Sequence, residues 1–247
     1  MDLKEFFQHH PKAALGFSGG VDSSYLLYAA KSCGADIGAY FIKSPFQPEF
    51  ELEDARAVAR QLNTELRIIE CDILENGKVA ENPPDRCYHC KRTIFSKLAE
   101  TALADGYELL IDGTNASDPE GERPGMRALR ELEVLSPLRL CGITKDQVRR
   151  LSKEAGLFTW NKPAYACLAT RVPSGQPITA QLLQRVEAAE SALKDLGFSD
   201  FRIRVFHDAA RLQLKSEQLA DAVKQRREIR KKIMPYFEPV LLDLEDR

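Results

Sequence analysis

Short apolar runs alternate with longer amphipathic stretches over the first two-thirds of the chain. Ala13-Ala14-Leu15-Gly16-Phe17 is apolar throughout, the pattern of a strand buried on both faces, and residues 21–32 after it read as a helix. Residues 36–42 form the next predicted strand, 48–62 a helix and 66–69 a third strand. A loop rich in Asn and Pro follows, then a helix from about residue 91 to 104 and a strand over 108–112. Strands that alternate with helices imply right-handed crossovers, so the expected fold is α/β with a doubly wound parallel sheet. In such a sheet the ligand sits beyond the carboxyl ends of the strands, which singles out the loops after Phe17, Ile42, Ile69 and Ile111.

The rhythm breaks over residues 161–177. Asn161-Lys162-Pro163 and Pro173-Ser174-Gly175-Gln176-Pro177 bracket a loop that reads as a domain junction. Beyond it Leu182, Val186, Ala189, Leu193 and Leu196 recur at spacings of four and three, an apolar helical stripe. Residues 201–206 alternate as a strand, 212–214 make its partner, 216–233 a further helix and 236–244 a last strand. The expected organisation is a nucleotide-type α/β domain over 1–170 and a small α+β domain over 171–247.

Composition narrows the class. The 247 residues carry a net charge of −2 and a pI near 6.2, which disfavours a nucleic-acid partner. No apolar run spans a bilayer and no signal peptide is visible at the N-terminus, so no membrane association and a cytoplasmic enzyme are expected. In that compartment the six cysteines read as thiols or metal ligands before disulfides. The basic run from Lys224 to Lys232 shares its helix with the apolar Leu219, Val223, Ile229 and Ile233, and reads as a solvated face.

Ser18-Gly19-Gly20-Val21-Asp22-Ser23 joins the first strand to the first helix. Glycines let backbone N–H groups approach a phosphate, the helix N-terminus adds a positive dipole end, and Ser18 and Ser23 add hydroxyl donors. The bland alternative is a Gly-Gly turn with a serine cap, but the full hexapeptide at this position points to a nucleotide. No Gly-Lys-Ser/Thr is present, so this is not a Walker loop. The segment resembles the PP-loop of the ATP pyrophosphatases, which adenylate a substrate oxygen and release pyrophosphate. That resemblance implies ATP with Mg²⁺ held by Asp22, and a second ATP contact from Gly113 and Thr114 in Asp112-Gly113-Thr114-Asn115. Taken alone, the latter tetrapeptide is a good turn.

Cys87-Tyr88-His89-Cys90 sets two thiols at metal-clasping or redox spacing. Cys33, Cys71 and Cys141 read as inert buried thiols. Cys167 lies in a loop four residues before Arg171, a cation able to favour the thiolate; standing alone, it reads as one more inert thiol. Arg202 and Arg204, two apart on a strand, project from one face and suit a phosphate monoester, or else form a solvated face paired with carboxylates. Lys91 and Arg171 are candidates to neutralise an acyl-adenylate, with surface salt bridges as the alternative. Glu190 is a weaker substrate-binding candidate, since an exposed helical Glu is the simpler reading.

Arg86 through Lys91, Gly121-Glu122-Arg123-Pro124-Gly125 and Pro163 through Gly175 together resemble one branch of the superfamily, the LarE sulfur transferases of nickel-pincer-nucleotide biosynthesis. With the phosphate loop and the basic strand, the likeness spans most of the chain. It implies adenylation of a carboxylate of pyridinium-3,5-biscarboxylic acid mononucleotide and replacement of AMP by sulfur. Arg202, Arg204 and Glu190 would then border the substrate phosphate. Some members sacrifice a single cysteine at the position of Cys167; others use three cysteines to hold a [4Fe-4S] cluster. Cys87, Cys90 and Cys167 match the second pattern. Three thiolates leave one iron open for a sulfide, whereas a structural zinc takes four ligands. Members form homo-oligomers, and the sequence carries no signal for the source of the sulfide. Within the superfamily the competing reading is a tRNA thiolase; an amidotransferase-type synthetase needs no cysteine triad, and a non-catalytic nucleotide sensor needs neither that triad nor Asp22.

Overall fold

The computed structural model describes residues 1–119 and 124–245, so Gly121, Glu122 and Arg123 of the Gly-Glu-Arg-Pro-Gly segment lie outside the described residues. By contact the chain forms two compact units, Met1–Ile73 with Asp85–Lys162, and Leu74–Pro84 with Pro163–Arg247. A sequence division at 170/171 therefore runs through the junction loop of the second unit, which also takes in a short stretch from between strand and helix of the first.

In chain order the elements are α1 (Leu3–His9), β1 (Lys12–Gly16), α2 (Val21–Ser32), β2 (Asp36–Lys43), α3 (Glu49–Gln61), β3 (Leu66–Glu70), α4 (Gly77–Ala80) and α5 (Arg86–Ala104). There follow β4 (Leu110–Ile111), α6 (Pro124–Glu131), α7 (Pro137–Leu140), α8 (Lys145–Glu154), α9 (Ala180–Lys194), β5 (Arg202–Phe206), β6 (Ala209–Gln213), α10 (Ser216–Lys224), α11 (Arg226–Ile233) and β7 (Val240–Leu242).

Among the described residues the first unit holds a four-stranded sheet of order β3-β2-β1-β4 with every pair parallel, as expected of a doubly wound α/β fold. Central β1 buries Ala13, Ala14 and Leu15 completely, which is why its sequence shows no polar alternation. Phe6, Leu26, Leu27, Phe41, Val58, Ile111 and Val148 pack around it from the flanking helices and strands. The chain walks from β1 through β2 to β3 on one side and then adds β4 on the other. The crevice at that reversal lies between the loops that follow β1 and β4.

In the second unit β5 pairs antiparallel with β6, and β7 adds parallel to β6. Helix α9 packs Leu183, Val186, Ala189 and Leu193 inward; Leu183 rather than Leu182 is its first buried residue. The single helix expected over 216–233 is two helices that meet at Gln225, where ψ is 9°, and Val223 is exposed rather than part of the apolar face. Among the described residues no helix is long and apolar enough to cross a membrane.

Candidate functional site

The phosphate loop is shaped by what its glycines cannot carry. Gly19 has φ +68°, and a Cβ there would fall 2.7 Å from the Ala55 backbone nitrogen of α3. Gly20 begins α2 with no side chain capping the first turn, so its N–H groups stay available to an anion. Ser18 Oγ lies 3.1 Å from Ser23 Oγ and accepts from the Gly20 N–H at 3.3 Å, while Ser23 Oγ reaches the Gly20 carbonyl at 3.3 Å. Val21 is 4 % exposed and anchors the loop to the core, leaving only its backbone for a ligand.

The loop after β4 closes on this turn. A Cβ on Gly113 would fall 2.9 Å from the Ser23 nitrogen, so the two loops are in backbone contact. Asp112 is buried and accepts from Thr114 N–H and Oγ1 at 3.1 and 2.5 Å and from Ser136 Oγ at 2.6 Å, which turns Thr114 back over the strand end. Asn115 Nδ2 donates to Asp22 Oδ1 at 3.1 Å, and Lys145 Nζ meets Asp22 Oδ2 at 2.5 Å. Asp22 thus sits between an amide and an ammonium at the mouth of the crevice.

Lys145 is a site residue that the motifs alone do not name, although the sequence marks its position. Thr144-Lys145-Asp146-Gln147 is a capping box, confirmed by Gln147 N–H donating to Thr144 Oγ1 and Thr144 N–H to Gln147 Oε1, and it fixes Lys145 as the first residue of α8. The Lys145 N–H is held in turn by Ser117 Oγ at 2.9 Å.

Helix α5 begins five residues earlier than the sequence suggested, so Cys87 and Cys90 occupy its first turns, three apart on one face. Cys87 is exposed, with Arg86 Nη2 at 3.8 Å from its Sγ, and Cys90 is half-buried. The backbone of Gly125 in α6 lies against the Lys91 stem and Cys87, since a Cβ added there would come 3.3 Å from Lys91 Cδ and 3.8 Å from Cys87 Cβ. The Lys91 ammonium stands 6.0 Å over the Phe95 ring. Of the cysteines expected to be buried and inert, Cys71 is buried and Cys141 half-buried, with burial pushing the Cys141 thiol up; Cys33, at the end of α2, is exposed. Within neither unit do three or more His, Cys, Asp or Glu side chains gather into a metal-holding group among the described residues. Cys87 and Cys90 belong to the first unit and Cys167 to the second.

In the second unit half-buried Cys167 caps a short 3-10 turn, Leu168–Arg171, its carbonyl accepting from Thr170 N–H and Oγ1 at 3.0 and 2.8 Å. Arg171 points inward. Its guanidinium forks onto Glu190 at 2.8 and 3.1 Å and donates to the Ala166 carbonyl at 2.6 Å, with the two side chains 1 % and 8 % exposed. Burial would lower its pKa, but the hydrogen bond and charge of Glu190 outweigh it and hold the guanidinium above its ordinary value. Arg171 therefore braces the backbone of the Cys167 loop. Glu190 is not the exposed helical carboxylate that its position suggested: it is buried, and also accepts from Tyr165 Oη at 2.6 Å and the Ile203 N–H at 3.0 Å. Nothing local to residue 190 announces a partner 19 positions away.

Strand β5 alternates as expected, burying Ile203 and Val205 while Arg202 and Arg204 share the other face. Arg211 of β6 stands directly opposite Arg204. Arg204 bonds Gln213 Oε1 and the Thr170 carbonyl, both at 2.9 Å, and Arg202 Nε is buried without a hydrogen-bond partner among the described residues. Burial, followed by the neighbouring guanidinia, lowers both pKa values. Neither arginine is ion-paired with a carboxylate among the described residues, unlike the solvated strand face that was the alternative.

A parallel α/β sheet with Ser-Gly-Gly-x-Asp-Ser at its first strand-to-helix turn defines a PP-loop protein of the ATP-cleaving class. The asparagine synthase family model, which shares that loop, matches residues 9–104. The chain is 32% identical over 85% of its length, and 77% of the relative's, to the pyridinium-3,5-bisthiocarboxylic acid mononucleotide synthase of Lactiplantibacillus plantarum. Uncharacterised proteins of Synechocystis sp. and Methanocaldococcus jannaschii are 38% and 31% identical over 90% and 99% of the chain, covering 83% and 93% of their own lengths. The tRNA-specific 2-thiouridylase MnmA of Pseudothermotoga lettingae is 27% identical over 61% of the chain and 54% of its own length. The chain belongs to the LarE family and is an ATP-using sulfur transferase of the PP-loop superfamily.

Proposed function

We propose that the protein adenylates a carboxylate of pyridinium-3,5-biscarboxylic acid mononucleotide and exchanges the AMP for sulfur. A carboxylate oxygen attacks the α-phosphorus of ATP and pyrophosphate leaves; a sulfur nucleophile then attacks the acyl carbon and AMP leaves, giving a thiocarboxylate. The uncapped turn at Gly20 and the Ser18 and Ser23 hydroxyls hold the phosphates that depart, Gly113 and Thr114 approach the nucleotide from the other loop, and Asp22 holds Mg²⁺. Lys145, beside Asp22, supplies a cation where charge gathers on the pyrophosphate.

The observation that carries the substrate reading is the arginine face of β5. Arg202 and Arg204 are half-buried, each has its charge disfavoured by burial and then by a neighbouring guanidinium (Arg171 for Arg202, Arg202 for Arg204), and they include a buried Nε with no partner among the described residues. A phosphate dianion relieves all three conditions, and a mononucleotide carries one. The smaller share of chain matched by the tRNA thiolases, together with the net charge of −2, favours this small substrate over RNA.

Cys87, Cys90 and Cys167 are the residues to hold a [4Fe-4S] cluster, which when bound supplies the sulfide. Accessible thiols at i and i+3 on α5 and a thiol on a braced loop are a suitable donor set, and none is tied up in a disulfide. Lys91 neutralises the acyl-adenylate, and Arg171 fixes the loop that presents Cys167. The test is anaerobic purification with iron and sulfide analysis, followed by turnover with the mononucleotide. AMP, pyrophosphate and a product with sulfur in place of oxygen are expected; ADP as product would remove the adenylation chemistry. Dehydroalanine at position 167 after one turnover would identify Cys167 itself as the donor.

A further inference from the structure

Asn82 lies between β3 and α5 in the second unit, 1 % exposed and with a left-handed backbone of φ 57°. Its side-chain amide donates to the carbonyls of Pro173 at 2.8 Å, Gln176 at 3.1 Å and Val172 at 3.4 Å. Its own carbonyl accepts from the Gly175 N–H at 2.8 Å and Ser174 Oγ at 3.3 Å, and two residues before it the Ala80 carbonyl accepts from Ile178 N–H at 2.7 Å. An irregular loop has no ladder to satisfy its backbone, and here one buried asparagine does much of that task. The residue type is constrained twice. Asn tolerates the left-handed region better than most residues, and its amide donates two hydrogens where Asp would turn negative charge toward three carbonyls.

The clamp adjoins a cysteine-bearing stretch of the second unit. Val172, whose carbonyl it holds, stands five positions after Cys167. Five residues reach at most about 17 Å when fully extended, so the clamp limits how far the Cys167 thiol strays from it. We propose that Asn82 is a positioning residue for sulfur delivery, holding the segment that leads out of Cys167. This rests on the sulfur-transfer reading above, and it leaves ATP activation to the first unit.

The experiment compares wild type, Asn82→Gly and Asn82→Asp, both of which accept the left-handed backbone. Three quantities are read on the same anaerobic preparations: pyrophosphate release with ATP and the dicarboxylated pyridinium mononucleotide, thiocarboxylate formation, and alkylation of Cys167 by iodoacetamide against exposed Cys33 as internal standard. The expected result is unchanged pyrophosphate release, thiocarboxylate formation lower by about tenfold or more, and faster alkylation at Cys167 alone. Product formation and Cys167 alkylation at wild-type levels in a folded variant overturn the proposal. An equal loss of pyrophosphate and product in both variants also overturns it, because Asn82 is then a general structural residue. A wild-type protein that releases no pyrophosphate with this substrate removes the sulfur-transfer reading instead, and the alkylation arm still decides whether Asn82 holds the Cys167 loop.

Discussion

The phosphate loop of the first unit and the arginine face of the second are both built to meet an anion, by opposite means. The loop uses backbone: an uncapped helix start, Gly19 pressed against the main chain of α3, and a single carboxylate balanced by Lys145 and Asn115. The face uses side chains: Arg202, Arg204 and Arg211 on one side of a small sheet, with buried Arg171 close enough to lower the first two pKa values further. Backbone donors cost no charge burial and need no counter-ion, so the loop tolerates no added atom but little electrostatic strain. The arginine face stores the reverse, repulsion that an incoming dianion relieves.

The largest effects should come from the loop. Gly19→Ala places a methyl 2.7 Å from a backbone nitrogen at φ +68°, so AMP and pyrophosphate formation should vanish in a direct product assay. Asp22→Asn should also abolish turnover while leaving the thermal melt near wild type, because the group lies at a half-exposed mouth and not in the core. Retention of pyrophosphate release in Asp22→Asn would remove the carboxylate from the chemistry.

The second unit should fail differently, through stability. Glu190→Gln leaves the Arg171 charge buried and without its carboxylate, which should destabilise the protein by about 3–5 kcal/mol in urea denaturation. Replacing both partners, Arg171→Met with Glu190→Leu, should recover much of that loss while the Cys167 loop stays loosened, since the bonds to the Ala166 and Cys167 carbonyls are gone. On the outer face, Arg202→Ala with Arg204→Ala should weaken mononucleotide binding by about 2–4 kcal/mol with ATP affinity unchanged. Unaltered mononucleotide affinity would return the pair to a structural role.

The same contrast explains what was legible in the sequence. The phosphate loop, the apolar strands and the period of α9 are local, so a window of a few residues contains their cause. The i, i+2 pairing of Arg202 and Arg204 is local too. Arg171–Glu190, Asn82–Val172 and Asp22–Lys145 are separated by 19, 90 and 123 positions, so no local window around one residue contains its partner. Spacing singles out Cys87 and Cys90 but not their helix, because Asn and Pro upstream argue for a loop while α5 starts at Arg86. The sequence pattern runs α10 and α11 together because the break at Gln225 involves no Gly or Pro.

The smallest of these effects, and the one that separates two readings of a single contact, concerns Lys145. Its ammonium sits 2.5 Å from Asp22, with the two side chains 29% and 23% exposed. If it serves only as a counter-ion, Lys145→Met frees the carboxylate for Mg²⁺, and activity at low Mg²⁺ should hold or rise. If it meets the departing pyrophosphate, the same variant loses a cation where negative charge develops, and kcat should fall by about tenfold or more even at saturating Mg²⁺. The fold is a poor reporter here, since a partly exposed pair contributes at most about 1 kcal/mol and both readings predict a near-normal melt. The Mg²⁺ dependence of pyrophosphate release decides between them. The expected outcome is a lower plateau that extra Mg²⁺ does not restore, because a mobile ion held by Asp22 replaces the charge of Lys145 but not its position on the first turn of α8.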